Sequence, residues 1–202
     1  MTDPDTALRW RTLERRPLFS AGPIRELAVE TVQLPDGRQI DDYYMLRLPD
    51  FALVYATTPE GRVLLLRQYK HGLGRVGLSF PGGKVDDHER PAEAARRELL
   101  EETGYASDEW TDLGSYVTNA NQRCNVAHLF RAKACRLVTA PNHGDLEEME
   151  LLHMPEAELV RPEQLVAFGL ASHVALLALA THPILSPASP AGGSSISPGR
   201  NA

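Results

Sequence analysis

Cysteine is scarce in this chain of 202 residues, with Cys124 and Cys135 as the whole complement. Their number and spacing make neither a disulfide framework nor a zinc-ligand pattern, and they fit a reducing compartment, so a cytoplasmic location is expected. No apolar stretch approaches the roughly 20 residues that span a bilayer. The opening run MTDPDTALRWRTLERR has no apolar centre of the kind a secretion signal carries. A soluble protein without membrane attachment follows as an expectation. An excess of positive charge is lacking too: the formal net charge is −6, so the chain offers no basic field to nucleic acid. What is present is apolar material for one sizeable core, 43% of the residues. Together with the length, this predicts one globular unit with extensions.

The run Glu26 to Leu34 is rich in β-formers, Pro35-Asp36-Gly37 signals a turn, and Ile40 to Leu48 reads as a returning strand. A second pair is predicted at Ala52 to Thr57 and from Val63 through Lys70, around a turn at Pro59-Glu60-Gly61. Gly72 to Gly83 reads as a loop, a brief strand and another loop. Pro91 suits a first helical turn, Ala92 to Thr103 holds strong helix formers, and Gly104 suits a left-handed cap. Strands are predicted at Thr111 to Val117, Val126 to Ala132 and Met149 to Met154, with a loop from Ala140 to Asp145. Helices are expected near Pro155 to Val160, Pro162 to Gly169 and Ser172 to Ala180. The Ser, Pro and Gly-rich end of the chain has little to bury and is expected to be disordered. This order predicts a mixed sheet flanked by helices, with residues 1–50 as an N-terminal extension, 51–183 as the main domain and 184–202 as a tail.

The helix after Pro91 carries the chemistry. Glu98, Glu101 and Glu102 stand at i, i+3 and i+4, which gathers three carboxylates on one helical face. Like charges one turn apart repel by a few tenths of a kcal/mol, and a hard divalent cation relieves that. Mg²⁺ suits such oxygens and is commonly shared with substrate phosphates. Ala92, Ala95 and Leu99 are expected to face the sheet, and Glu93, Arg97 and Glu101 to form i, i+4 pairs. An arbitrary acidic helix would be a solvated face.

The stretch from Pro81 to Tyr105 goes further, because it resembles the Nudix box. Gly83, Glu89, Arg97, Glu98, Leu99, Glu101, Glu102 and Gly104 stand at the spacings of that motif, and Tyr105 takes a place that is usually aliphatic. The resemblance implies an α/β/α sandwich and a hydrolase of diphosphate anhydrides. It implies Glu98, Glu101 and Glu102 as ligands of Mg²⁺ (or Mn²⁺), the Gly82 carbonyl as a further ligand, and Arg97 and Glu89 as the network that orients them.

Outside the box the chain resembles the ADP-ribose and nucleoside diphosphate sugar pyrophosphatase branch. The resemblance runs through the LPDG hairpin, the run LLLRQYKHGLGRVGLSFPGGKV and the acidic loop after Asp145. It implies a small nucleotide substrate, most plausibly ADP-ribose, and a homodimer whose N-terminal strands pack on the partner. It also implies a general base in the loop after the box, with Glu147 the first choice and Glu148 the second, against solvated loop charges. Other nucleoside diphosphate sugars, dinucleotides, or sensing without cleavage are the alternatives. Arg67 and Lys70 read either as phosphate contacts or as exposed strand-end cations. Trp10, Phe19 and Tyr44 could stack on a base or serve as packing anchors. The stretch Tyr116 to Phe130 departs from the branch, and Asn119, Asn121, Gln122 and Arg123 read as substrate contacts or as a polar hairpin tip. The histidines, among them His71, His88, His128 and His143, share no metal-ligand spacing.

Overall fold

The computed structural model describes residues 4–142 and 148–182. Strands β1 (Arg11–Ala21), β2 (Ile24–Gln33) and β3 (Gln39–Arg47) form an antiparallel sheet in that order. The β2–β3 hairpin turns where the sequence predicts, with Gly37 at φ +87°. Strand β1 is not foreseen. Every residue of it is exposed, so no apolar alternation marks it, and its Pro17, opposite Ala28, is compatible only with an edge position. Arg15 fastens it by bonding the carboxylates of Glu26 and Glu30 on β2.

The chain continues through β4 (Phe51–Ala56), β5 (Arg62–Lys70), β6 (Arg75–Ser79), β7 (Gly82–Lys84), α1 (Pro91–Thr103), β8 (Tyr105–Ala106), β9 (Glu109–Val117), β10 (Val126–Lys133), β11 (Arg136–Leu137) and β12 (Met149–Pro155). Helices α2 (Glu156–Leu159), α3 (Pro162–Phe168) and α4 (Ala171–Thr181) follow. One sheet has the order β7-β4-β10-β9, with β4 and β10 parallel, and another the order β12-β5-β6, all antiparallel. A bridge between Thr57 and Val63 joins them at the β4–β5 turn.

Successive residues of β4 and β5 feed opposite layers. Ala52, Val54, Ala56 and Leu64 pack with Ala94, Ala95 and Leu99 of α1. Leu53, Tyr55, Val63 and Leu65 pack with Phe168 of α3 and Leu176, Leu177 and Ala180 of α4. Strands covered on both sides read as unbroken apolar runs, as FALVYA and VLLL do. The result is the expected α/β/α sandwich, mixed in strand direction.

Some expectations are corrected. Gly82 and Gly83, expected as loop, belong to strand β7, which pairs with β4. Glycine permits this: a Cβ on Gly82 would lie 2.1 Å from the Ala52 carbonyl oxygen. Ala92 is exposed, and the face of α1 that packs is Ala94, Ala95, Leu99 and Thr103. Glu93 pairs with Arg90 at 2.6 Å rather than with Arg97, because its carboxylate caps the helix by accepting the Arg90 N–H at 3.0 Å.

Candidate active site

Helix α1 begins at Pro91 and is capped by Gly104, whose φ of +74° lets its N–H reach the Leu100 carbonyl at 2.8 Å. With its apolar side packed on β4 and β10, α1 lays its acidic side against the β7 backbone. Glu102 Oε2 accepts the Gly82 N–H at 2.7 Å. Glu98 presses so closely on Gly83 that a Cβ there would stand 2.6 Å from its carboxylate carbon. The glycines of the PGG run therefore let the chain meet two box carboxylates at contact distance.

Arg97 organises the other side. Its guanidinium forks onto Glu89 at 2.9 and 3.0 Å, reaches Glu98 Oε1 at 2.7 Å and Glu101 Oε2 at 3.2 Å, and donates to the Lys84 carbonyl at 2.9 Å. Glu89 also accepts the Asp86 N–H at 3.0 Å. The Arg97 bonds hold the Glu89 carboxyl below its ordinary range, and the same bonds raise Arg97 above its own. Burial pushes the Glu98 carboxyl up, against the opposing pull of Arg97.

These residues fit a hard cation. Glu98 is desolvated at a place where only a positive group offsets the cost of its charge, and the surrounding donors are carboxylate and carbonyl oxygens, the set Mg²⁺ and Mn²⁺ take. Among the described residues, however, no three acidic, His or Cys side chains come together as a ready ligand cluster. Glu98 and Glu101 are turned to Arg97, and Glu102 to Gly82.

A cleft of about 920 Å³ opens beside this loop, lined by Gly82, Gly83 and Lys84 at one edge. Apolar walls from Phe51, Leu53, Phe80 and Leu129 enclose it, and Tyr116, Val117, Thr118 and Asn125 border it. The departing stretch after Tyr116 thus contributes to the cleft through its stem. Its tip is internally bonded, since Asn119 Oδ1 accepts the N–H groups of Asn121 and Gln122, both at 3.0 Å. Arg123 lies outside the cleft lining, against a separate pocket near Arg25 and Arg47.

Of the two strand-end cations, Lys70 lines the cleft, whereas Arg67 reaches Glu150 across the β5–β12 ladder at 3.2 Å. Glu148 is exposed just before β12, and Glu147 and His143 fall outside the described residues. Trp10, Phe19 and Tyr44 are exposed on the N-terminal sheet, Trp10 edge-on to Tyr43. Tyr105 is partly buried, and its hydroxyl meets His153 Nε2 at 2.8 Å.

Among the cleft residues that escape the sequence reading are Gln68, Ser79 and His173. Gln68 left a signal, a polar side chain placed two residues beyond the buried run Val63 to Leu66 in the same strand, between Arg67 and Tyr69. His173 left none. It is buried beside the stacked pair Phe80 and Phe168, and its Nδ1 accepts the Phe80 N–H at 3.1 Å. Burial drives the His173 ring down to about 4, with Lys70 adding to the shift.

Fold and site together define the class, and residues 46–176 match the NUDIX domain. The chain belongs to the NUDIX family and is a hydrolase acting on diphosphate bonds. It is 30% identical over 153 residues to the ADP-ribose pyrophosphatase of Bacillus subtilis (strain 168), covering 76% of this chain and 80% of that one. It is 32% identical over 149 residues to the methanol dehydrogenase activator of Bacillus methanolicus, covering 74% and 78%. In fold it resembles a solved ADP compounds hydrolase with a TM-score of 0.72 at 20% identity, over 85% of this chain and 92% of that chain. No helix among the described residues is long and apolar enough to cross a membrane.

Proposed function

We propose that this hydrolase cleaves ADP-ribose to AMP and ribose 5-phosphate with Mg²⁺ as its cofactor. The observation that carries the proposal is the large apolar-walled cleft opening at Gly82 and Gly83, where the acidic helix meets β7. A nucleotide conjugate bound there would have its diphosphate beside Gly82 and Gly83, the backbone that Glu102 and Glu98 touch. The similarity to an ADP-ribose pyrophosphatase supports the choice of sugar.

Glu98, Glu101 and Glu102, with the Gly82 carbonyl, are the residues that would hold the ion. An ion held there would supply charge neutralisation for the diphosphate and activation of water. Arg97 and Glu89 position those carboxylates. Lys70, at the cleft wall, neutralises phosphate charge, and Arg67 takes the same role only after leaving Glu150. Glu147 or Glu148 accepts the proton of the attacking water. The active unit is a homodimer built through the N-terminal sheet, acting in the cytoplasm.

A substrate panel tests this reading. ADP-ribose, NADH, ADP-glucose, UDP-glucose and GDP-mannose are incubated with the protein and Mg²⁺, and the mononucleotide released is identified. Fastest turnover with ADP-ribose, giving AMP, is the expected result. Binding without turnover of any compound would instead make this a sensing domain. Glu102→Gln is expected to lower turnover by orders of magnitude with the melting temperature retained, because shape is kept and a charged oxygen ligand is lost. Unchanged turnover in that variant refutes the ligand assignment.

A further inference from the structure

Gln68 is 4% exposed, lines the cleft, and donates from Nε2 to Ser79 Oγ at 2.9 Å. Its Oε1 is buried without a hydrogen-bond partner among the described residues. A buried amide oxygen left in that condition costs on the order of 1–3 kcal/mol, so such a group in a binding cleft points to a ligand that completes it. Ser79, 6% exposed, spends an oxygen lone pair on Gln68 and keeps its hydroxyl proton for another acceptor. The third polar group is His173. Because its Nδ1 accepts the Phe80 N–H, the neutral ring carries its proton on Nε2 and is a donor there.

These groups line the same cleft as Gly82 and Gly83, amid walls that are otherwise largely apolar. An unmatched acceptor beside donors is the pattern met by vicinal hydroxyls, each of which both donates and accepts. Phe80, which follows Ser79 and meets the His173 ring, is 1% exposed and stacked on Phe168 and His173, so it offers no open face to a base.

We propose that Gln68, Ser79 and His173 form the polar floor of a sugar subsite, binding the hydroxyls of the group joined to the nucleoside diphosphate. The inference rests on the pyrophosphatase reading above and assigns the sugar end of that substrate to this end of the cleft. Gln68 Oε1 accepts from one hydroxyl, and Ser79 and His173 donate to its neighbour.

The experiment compares two compounds with the same ADP half, ADP-ribose and the n-pentyl ester of ADP, which has the carbon count but no hydroxyls. AMP release with Mg²⁺ gives kcat/KM for each in the wild type, Gln68→Leu and Ser79→Ala. The expected result is a fall of about tenfold or more in the ADP-ribose to pentyl ester preference in Gln68→Leu, the loss of one buried hydrogen bond. A smaller fall is expected in Ser79→Ala. An unchanged preference in both variants overturns the subsite. Ser79→Ala keeps nearly the same volume and carries the test if Gln68→Leu does not fold by circular dichroism. A wild type that cleaves neither compound overturns the pyrophosphatase reading. Calorimetry with ribose 5-phosphate then decides the subsite separately: binding weakened by Ser79→Ala or Gln68→Leu supports it, and equal binding or none overturns it. Dependence on these residues for AMP but not for ribose 5-phosphate also overturns it, since the floor would then hold the base.

Discussion

Gly82 and Gly83 are neighbours, yet a methyl group added to each meets a different obstacle. On Gly82 it would meet backbone, 2.1 Å from the Ala52 oxygen and 2.9 Å from the Leu53 Cα, at a φ of +152° that L residues rarely adopt. On Gly83 the three nearest atoms it would meet all belong to the Glu98 carboxylate, the far end of a side chain that can swing away. Gly82→Ala is therefore expected to destabilise the fold, by about 3 kcal/mol or more in chemical denaturation. Gly83→Ala should leave stability within about 1 kcal/mol of wild type while lowering kcat on the order of tenfold to a hundredfold, because it displaces one carboxylate of the site. Equal loss of stability in the two variants would contradict the Glu98 placement.

At the scale of elements, α4 is tied to the end of β6 by His173, whose ring binds the Phe80 N–H just before the PGG run. Lys70 is the charged group acting on that ring. The ring is neutral in the folded protein down to about pH 4, against a reference value of 6.5. Between those values the unfolded chain binds a proton that the folded one refuses. Stability from this residue is thus fully present above about pH 6.5 and is lost as pH falls toward 4. The shift corresponds to roughly 3 kcal/mol at most. Urea titrations across this window should show a steeper decline for wild type than for His173→Gln, whose amide oxygen can still accept the Phe80 N–H. Parallel curves would mean that the histidine does not carry the effect.

At the scale of the whole molecule, the N-terminal sheet leaves its outer strand uncovered by the other described residues. β1 is exposed throughout, and Trp10, Leu13, Leu18, Phe19 and Tyr44 are each at least 40% exposed. An edge strand bearing apolar side chains invites pairing, which agrees with the proposed dimer. Sedimentation of the wild type should give twice the 22.3 kDa of one chain. A Leu18→Lys, Phe19→Asp double variant should sediment as a folded monomer. A wild-type monomer at micromolar concentration would refute this assembly.

The contiguous parts of this protein were legible in the residues alone. The box spacing is local, since i, i+3 and i+4 positions share a helix face whatever surrounds them, and α1 with its Gly104 cap follows from propensity and φ freedom. The apolar runs of β4 and β5 announce strands covered on both sides. β1 stayed illegible because an exposed edge strand leaves no burial pattern in its sequence. Which way α1 turns its packing face, with Ala94 in and Ala92 out, was likewise set by the sheet it lies on. The cleft was decided only by tertiary structure: Gln68, Ser79 and His173 come from β5, β6 and α4, and no local rule relates residues 68 and 173. Helix periodicity acts over a few residues, whereas a cleft exists only where layers formed by distant segments close on one another.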